Sequence, residues 1–251
     1  MVVSLAASLL MMGVGMIVGL LPRRVLALSG SIRDVGLIAS CFALTYLLVQ
    51  IPVGRLADRF GIKRFLIAGY VLCGLSGLIF SFANSPRDFF IGRLIQGAGE
   101  APIWALGPAL LALAYPRESG RAIGVYNASI HAGLTLGPLV ALWFFPGGMG
   151  RAPFLVFVLL CFAAMVFVLL LLPASRISLG NECGLAPRLG DVIRLLALRS
   201  TLMTLSGVLL YGACYGVFLT VLPGHLIPEL LTYPPGNMSG FPGQTPWAET
   251  A

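Results

Sequence analysis

Three polar side chains stand in an otherwise apolar stretch near residue 100, and their spacing could support proton chemistry. Arg93, Gln96 and Glu100 are separated by three and four positions, so a helix would place them on one face. Arg93 and Glu100 would then lie about 10 Å apart along the axis, too far for a comfortable ion pair. An ionisable group inside a membrane helix marks a path for protons or substrate by default. The alternative is that Arg93 extends to the membrane surface and Glu100 is a neutral packing residue.

Asn127 and His131 form a second polar pair, four residues apart in a later apolar stretch. On a helix they share a face. The imidazole could exchange protons with Glu100 across a cavity, because histidine titrates near neutral pH. A histidine satisfied within a packed interface is the alternative. We therefore predict a proton or substrate pathway formed by Arg93, Gln96, Glu100, Asn127 and His131. Of these, Gln96, Glu100 and His131 should lie on or near a face that needs covering by further protein.

A short charged segment between two apolar stretches could act as a conformational switch. Residues 54–64 read Gly-Arg-Leu-Ala-Asp-Arg-Phe-Gly-Ile-Lys-Arg. So short a loop needs glycine to turn, and its aspartate lies beside two predicted helix ends and among basic residues. This carboxylate could bind an arginine or a helix amino terminus in one conformation and release it in another. The alternative is that the charges only orient the loop. The residues assigned to the switch are Gly54, Asp58, Arg59, Gly61, Lys63 and Arg64.

Small residues recur before a proline in the stretch that contains His131. Gly133 and Gly137 are four positions apart, a spacing that lets two membrane helices approach closely. Pro138 removes a backbone donor and can kink the helix. We predict that Gly124, Gly133, Gly137 and Pro138 serve helix packing.

The composition requires lipid as the surrounding solvent. Of 251 residues, 58% are hydrophobic and 10% charged, whereas a soluble domain has about 25% charged residues. Runs near the ~20 residues that a bilayer requires predict an all-α, polytopic membrane helix bundle. The seven predicted helices are 3–21, 35–53, 65–82, 89–113, 121–145, 152–173 and 200–222.

The basic residues indicate orientation rather than nucleic-acid binding. The net charge is +7, and most arginines lie in short gaps between apolar runs. The gaps after the second, fourth and sixth predicted helices, with their edges, hold ten Lys and Arg, and the gaps after the first, third and fifth hold five. The richer side should be cytoplasmic. We therefore expect an integral protein of a bacterial-type inner or plasma membrane, with its amino terminus in the cytoplasm.

Enzyme, cofactor and metal chemistry is not indicated. Four of the five cysteines lie inside apolar runs and none forms a Cys-x-x-Cys pair, so neither a disulfide framework nor a zinc site is expected. No phosphate loop, dinucleotide fingerprint or hydrolase triad is present. We expect neither an enzyme nor a bound cofactor.

The charged loop closely resembles the signature loop between helices two and three of the major facilitator superfamily; only Ile62, where a basic residue is common, departs from it. The run Arg93-Leu94-Ile95-Gln96-Gly97 resembles the helix-four signature of the same family, and Gly124 to Pro138 resembles its antiporter-associated helix-five pattern. In that pattern two further glycines follow, where this chain has Ala141 and Leu142.

The resemblance implies a particular division of the chain. A family transporter has two six-helix halves around a central site. Residues 1–173 would form the amino-terminal half, 174–199 a cytoplasmic linker, 200–222 a seventh helix and 223–251 a disordered tail. Because one half and one helix are represented, we expect a truncated form of a longer parent.

The function that the resemblance implies is secondary active transport of a small molecule, by proton-coupled antiport. The expected partners are the lipid bilayer, the substrate and protons. A second copy of the chain could also bind to the uncovered face of the bundle. Two alternatives stay open: a half-transporter that dimerises to rebuild the site, and a membrane sensor or scaffold that transports nothing.

Overall fold

The computed structural model describes residues 1–144 and 150–173, and beyond them 198–199, 201–203, 206–207, 209–210 and 212–214. Its helices are α1 (Val2–Val18), α2 (Leu20–Ser29), α3 (Ile32–Phe60), α4 (Ile62–Phe82), α5 (Pro86–Ala114), α6 (Ser119–Phe144) and α7 (Ala152–Leu171). The predicted all-α membrane bundle is confirmed. Six segments of the described chain are long and apolar enough to cross a bilayer, with α1 and α2 together forming the first.

Two predicted gaps are shorter than expected because helices extend into them. Pro22, Arg23 and Arg24 were expected in a gap but lie in α2. Pro22 is the third residue of that helix, where the amide that proline lacks has no intrahelical partner anyway. The expected linker (174–199), seventh helix (200–222) and tail (223–251) lie largely outside the described residues.

The charged segment is also mostly helical. Gly54, Asp58 and Arg59 belong to the end of α3, and Lys63 and Arg64 to the start of α4. The turn between the two helices is therefore Gly61 alone. Its φ of +91° is disfavoured for residues that carry a side chain, which explains the glycine.

Five helices pack as a ring, with α3 outside it and α2 continuing from the end of α1. Helix α1 packs against α6 and α7, α4 packs against α5 and α7, and a smaller α5–α6 contact closes the ring. Helix α3 lies outside the ring and packs mainly against α5. Helix α5 is thus covered by α3 on one side and α4 on another.

Glycines set the distance between α1 and α6. A Cβ atom built on Gly133 would collide with the Ser8 carbonyl oxygen, and one built on Gly137 with the Met12 carbonyl oxygen. From the other helix, a Cβ on Gly15 would lie 2.5 Å from the Leu134 carbonyl oxygen. The two backbones therefore touch where glycine is present, which is how membrane helices gain van der Waals contact.

Gly124 makes no close packing contact within the described part of the chain. It is exposed, and a Cβ atom built on it meets no atom of the described chain within 4 Å. Pro138 lies in the helix interior, with its ring 3.1 Å from the Cβ position of Gly15. The tight part of the interface is thus formed by the second half of the glycine pattern.

Replacing Gly133 by alanine should destabilise the bundle, because the added methyl group must push α1 away from α6. We expect the Gly133→Ala change to lower the free energy of unfolding by about 1–3 kcal/mol, measured by detergent titration followed by circular dichroism. Gly124→Ala is the matched control: the same gain in helix propensity occurs in open space, so its stability should be unchanged or slightly higher. Equal losses in both variants would contradict the packing role of Gly133.

Candidate functional site

A continuous chain of hydrogen bonds joins the three polar residues of α5. The Arg93 Nη1 atom donates to Gln96 Oε1 at 3.1 Å, and Gln96 Nε2 donates to Glu100 Oε1 at 2.9 Å. We call these three side chains the relay. Gln96 bridges the distance that is too long for a direct pair of Arg93 with Glu100. The amide is suited to this position because it carries both an acceptor and a donor.

The relay is enclosed by protein, which corrects the expectation that Gln96 and Glu100 lie on or near an uncovered face. Gln96 is 0% exposed and Glu100 4%. The covering element is α3, whose Phe42 ring lies under the Arg93 guanidinium, with 5.4 Å between Cζ and the ring centre. A guanidinium on an aromatic face gains a favourable cation–π interaction.

Helix α3 can cover the relay because the next residue of α5 is Gly97. A Cβ atom there would lie 2.5 Å from the Phe42 carbonyl oxygen and 3.1 Å from the Tyr46 amide nitrogen. The α3 backbone therefore rests directly on α5 beside Gln96. The Trp104 side chain, one turn further along α5, also approaches the Glu100 carboxylate. The relay is therefore enclosed both by the α3 backbone beside Gly97 and by the Phe42 and Trp104 side chains.

Asn127 and His131 lie apart from the relay. Both are exposed on α6. The face of α6 that meets the bundle carries Tyr126 and Ile130, both fully buried. The Tyr126 hydroxyl donates to the Ile103 carbonyl at 2.8 Å and so ties α6 to α5. Within the described chain, no hydrogen bond joins His131 to Glu100.

The switch residues form two structural groups. Asp58, Arg59 and Arg64 are exposed, and Asp58 has no ion pair within the described residues. Gly54 is half-buried, and its Cβ position is open. Among the described residues, Asp58, Arg59 and Arg64 form no side-chain hydrogen bond or ion pair to another helix. The Arg59 guanidinium lies over the Phe60 ring of its own helix.

Lys63 is the member of the segment that holds another element. Its Nζ atom donates to the carbonyl oxygens of Leu169, at 2.9 Å, and of Leu172. The last carbonyls of a helix have no intrahelical partner and carry the negative end of its dipole, so an ammonium group there stabilises α7. The sequence motif signalled a basic residue at this position but not its partner. This contact was missed because α7 lies more than 100 residues further along the chain.

Comparison with known proteins shows the family. The profile of the Major Facilitator Superfamily matches residues 3–242. Over 131 residues the chain is 31% identical to an uncharacterized MFS-type transporter of Methanocaldococcus jannaschii, covering 52% of this chain and 34% of the relative. It is 32% identical over 130 residues to multidrug resistance protein 2 of Bacillus subtilis, covering 51% and 32%. It is 37% identical over 151 residues to a puromycin resistance protein of Streptomyces alboniger, covering 55% and 28%.

The fold and the comparisons together define the class of protein. The described helices form a polytopic membrane bundle, and the family match extends over nearly the whole chain. The chain belongs to the Major Facilitator Superfamily, and its relatives are named as transporters or resistance proteins rather than enzymes. It spans about a third of the length of these curated relatives, or less.

Replacing Gln96 by leucine should destabilise the bundle by leaving the groups on either side without their bridge. The Gln96→Leu change removes an acceptor from Arg93 and a donor from Glu100 in a buried site, which costs about 1–3 kcal/mol in free energy of unfolding. The detergent titration used for the glycine variants measures it. Asn127→Leu, on the exposed face of α6, should change stability by less than about 0.5 kcal/mol. Equal losses would show that the relay adds nothing to stability.

Proposed function

We propose that this chain functions in secondary active transport, exporting a small amphipathic molecule in exchange for protons. The observation that carries the proposal is the relay. Its arginine, amide and carboxylate are hydrogen-bonded in series on a membrane-spanning helix and are covered by neighbouring protein. Family membership and relatives named for drug resistance support it.

Glu100 is the residue that we assign to proton binding. A carboxylate enclosed by protein in a membrane is expensive to keep without a function. Gln96 can donate to it, and this donation favours the charged form of the carboxylate, whereas exclusion of water favours the neutral form. Small changes in packing around α3 would therefore shift the balance between the two forms. This sensitivity is what proton coupling to a conformational change requires.

Arg93 provides a second point at which the relay could respond. Its Nε atom is buried and has no hydrogen-bond partner in the described chain. A buried donor without a partner is unusual in a folded protein, and water or a ligand group would satisfy it. We propose that the Arg93 end of the relay accepts such a partner during the cycle, with Asn127 and His131 lining the pathway on the exposed side of α6.

The substrate class follows from two features. The relatives include proteins named for multidrug and puromycin resistance, which indicates small organic molecules. The surroundings of the relay are aromatic and apolar, with Phe42 and Trp104 against its two ends. Aromatic faces with one buried carboxylate suit a molecule that is largely apolar and carries limited charge.

Alternating access needs a surface opposite this bundle. In this family the substrate site lies between two six-helix units, and we propose that the six candidate spans of the described chain form one of them. We propose that Asp58 and the residues around the α3–α4 turn change partners as the two units move. Asp58, exposed and without an ion pair among the described residues, would represent one of the two states of this switch.

Transport can be tested by co-expressing this chain with the carboxy-terminal six-helix half of a related full-length transporter and reconstituting the pair in vesicles. An imposed pH gradient should drive uptake of amphipathic fluorescent dyes. Glu100→Gln should reduce this uptake at least tenfold, because the neutral amide cannot exchange a proton. Asp58→Asn should slow uptake. The control is Glu118→Gln, which should leave uptake unchanged; native Glu118 is an exposed acidic residue paired with Arg121.

Two results would contradict the proposal. Dye uptake that ignores the pH gradient and survives Glu100→Gln would remove the relay from the mechanism. Equal effects of Asp58→Asn and Glu118→Gln would reduce the charged segment to an orientation signal. The chain reconstituted alone should be inactive; robust activity that depends on Glu100 would instead identify a self-dimerising half-transporter.

The orientation of the bundle is a separate proposal, which rests on the excess of basic residues at the α3–α4 turn. We expect this end to be cytoplasmic. Arg64 is exposed on α4. A cysteine introduced by Arg64→Cys, in a variant without native cysteines, should resist an impermeant thiol reagent added to intact cells. Arg87→Cys, exposed at the start of α5 and at the opposite end, should react. The reverse pattern of labelling would invert the topology.

A further inference from the structure

Two arginines meet a group of aromatic rings at the end of the bundle opposite the Gly61 turn. The Arg24 guanidinium lies over the Phe154 ring, with 5.2 Å between Cζ and the ring centre, and its Nη1 atom donates to the Phe80 carbonyl at 3.4 Å. Arg151 lies over the Phe82 ring at 5.4 Å. Both cations are thus held in place by α4 and α7 rather than free in solvent. We call Arg24 and Arg151 the arginine pair.

The positive charge of the pair is not neutralised within the described chain. Both guanidinium groups are held at the same end of α4, Arg24 at the Phe80 carbonyl and Arg151 on the Phe82 ring. The ion pair found among the described residues, Arg121 with Glu118, lies at the other end of the bundle. Asp88, at the same end as the pair, accepts hydrogen bonds from the backbone amides of Asn84 and Ser85 and so caps α5.

The arginine pair has hydrogen-bond donors to spare. A guanidinium carries five N–H donors, and the described contact of Arg24 uses one of them. Neighbouring guanidinium groups with spare donors match the geometry of a phosphate, whose oxygens can accept from both. A phosphate anion would supply both the negative charge and the acceptors that this pair lacks.

An exposed apolar strip leads away from this position along the bundle. Phe82, under Arg151, is 60% exposed. On α4 the exposed side chains recur every three or four residues, so they form one line, and α7 adds a neighbouring line. The exposed side chains of the strip are Leu75, Leu78, Phe82, Leu155, Leu159 and Phe162. A soluble phosphate would make no use of these residues, whereas an acyl chain would cover them.

We propose that this end of the bundle binds one anionic phospholipid, with its phosphate between Arg24 and Arg151 and an acyl chain along the strip formed by α4 and α7. The lipid would supply the negative charge that the arginine pair lacks. It would also hold α4 and α7 together where α7 begins. This site is independent of the relay, which lies between α3 and α5.

Native mass spectrometry of the purified chain in a non-ionic detergent can measure this binding. The probes are phosphatidylglycerol, zwitterionic phosphatidylcholine, and glycerol 3-phosphate, which has the phosphate without the chains. Phosphatidylglycerol should bind at least tenfold more tightly than either of the others. Arg24→Gln and Arg151→Gln should each weaken it about fivefold, the effect of one basic residue near a lipid phosphate. Arg33→Gln, exposed on α3, removes the same charge and should have no effect.

Three results would overturn the proposal. Equal affinity for phosphatidylglycerol and phosphatidylcholine would show that charge is not recognised. Glycerol 3-phosphate that binds as tightly as the lipid would show a phosphate site without a lipid role. An equal loss in Arg33→Gln would show attraction by net charge alone. Circular dichroism checks that each variant is folded. If Arg24→Gln does not fold, the result for Arg151→Gln decides the outcome, because Arg151 is exposed and its replacement should not disturb folding.

Discussion

Direct contact between helix backbones is the constraint on which the rest of this bundle depends. Lipid chains are as apolar as leucine, so burying apolar side chains does not by itself draw membrane helices together. Close packing has to supply the attraction instead. Gly69 and Gly99 show how: a Cβ on either glycine would lie under 3 Å from the carbonyl oxygen of the other, so α4 and α5 touch without intervening side chains. At Gly13 and Gly77 the glycines instead leave room for the Phe157 ring of α7.

The same contacts determine the environment of the polar residues. Because Gly97 lets α3 lie on α5, the amide of Gln96 and the carboxylate of Glu100 are shielded from lipid and water together. Gly107 has a comparable role on the next face of α5, where the Tyr126 ring occupies the space that a side chain would need. Glycines that set the packing thus lie directly beside Gln96 and Glu100 on α5. A change in how the helices pack would also be a change in the polarity around Glu100.

The sequence was most informative where the bilayer imposes a simple rule. The length and hydrophobicity of a membrane span predicted six helices that the structure contains, and the motif of the charged segment predicted the family. The burial of Gln96 and Glu100 was not predicted, because periodicity shows which residues share a face but not which helix covers it. Gly97 was the residue in the sequence that could have indicated this burial, since a small residue beside a polar one lets a neighbouring helix lie close and cover the polar side chain. Gly124 shows the limit of that signal: the residue type is the same, but no described helix lies opposite it.

The helices differ in length by more than a bilayer can easily accommodate. Helix α3 has 29 residues, about 43 Å, whereas α7 has 20, about 30 Å, which just matches the hydrocarbon core. A long helix can tilt or extend its charged end into the headgroup region, but α7 has no spare turns with which to adjust. Lys63 binds the final carbonyls of α7 from the start of α4. The depth of α7 in the membrane is therefore set by its attachment to the protein, and local thinning or thickening of the bilayer has to follow it.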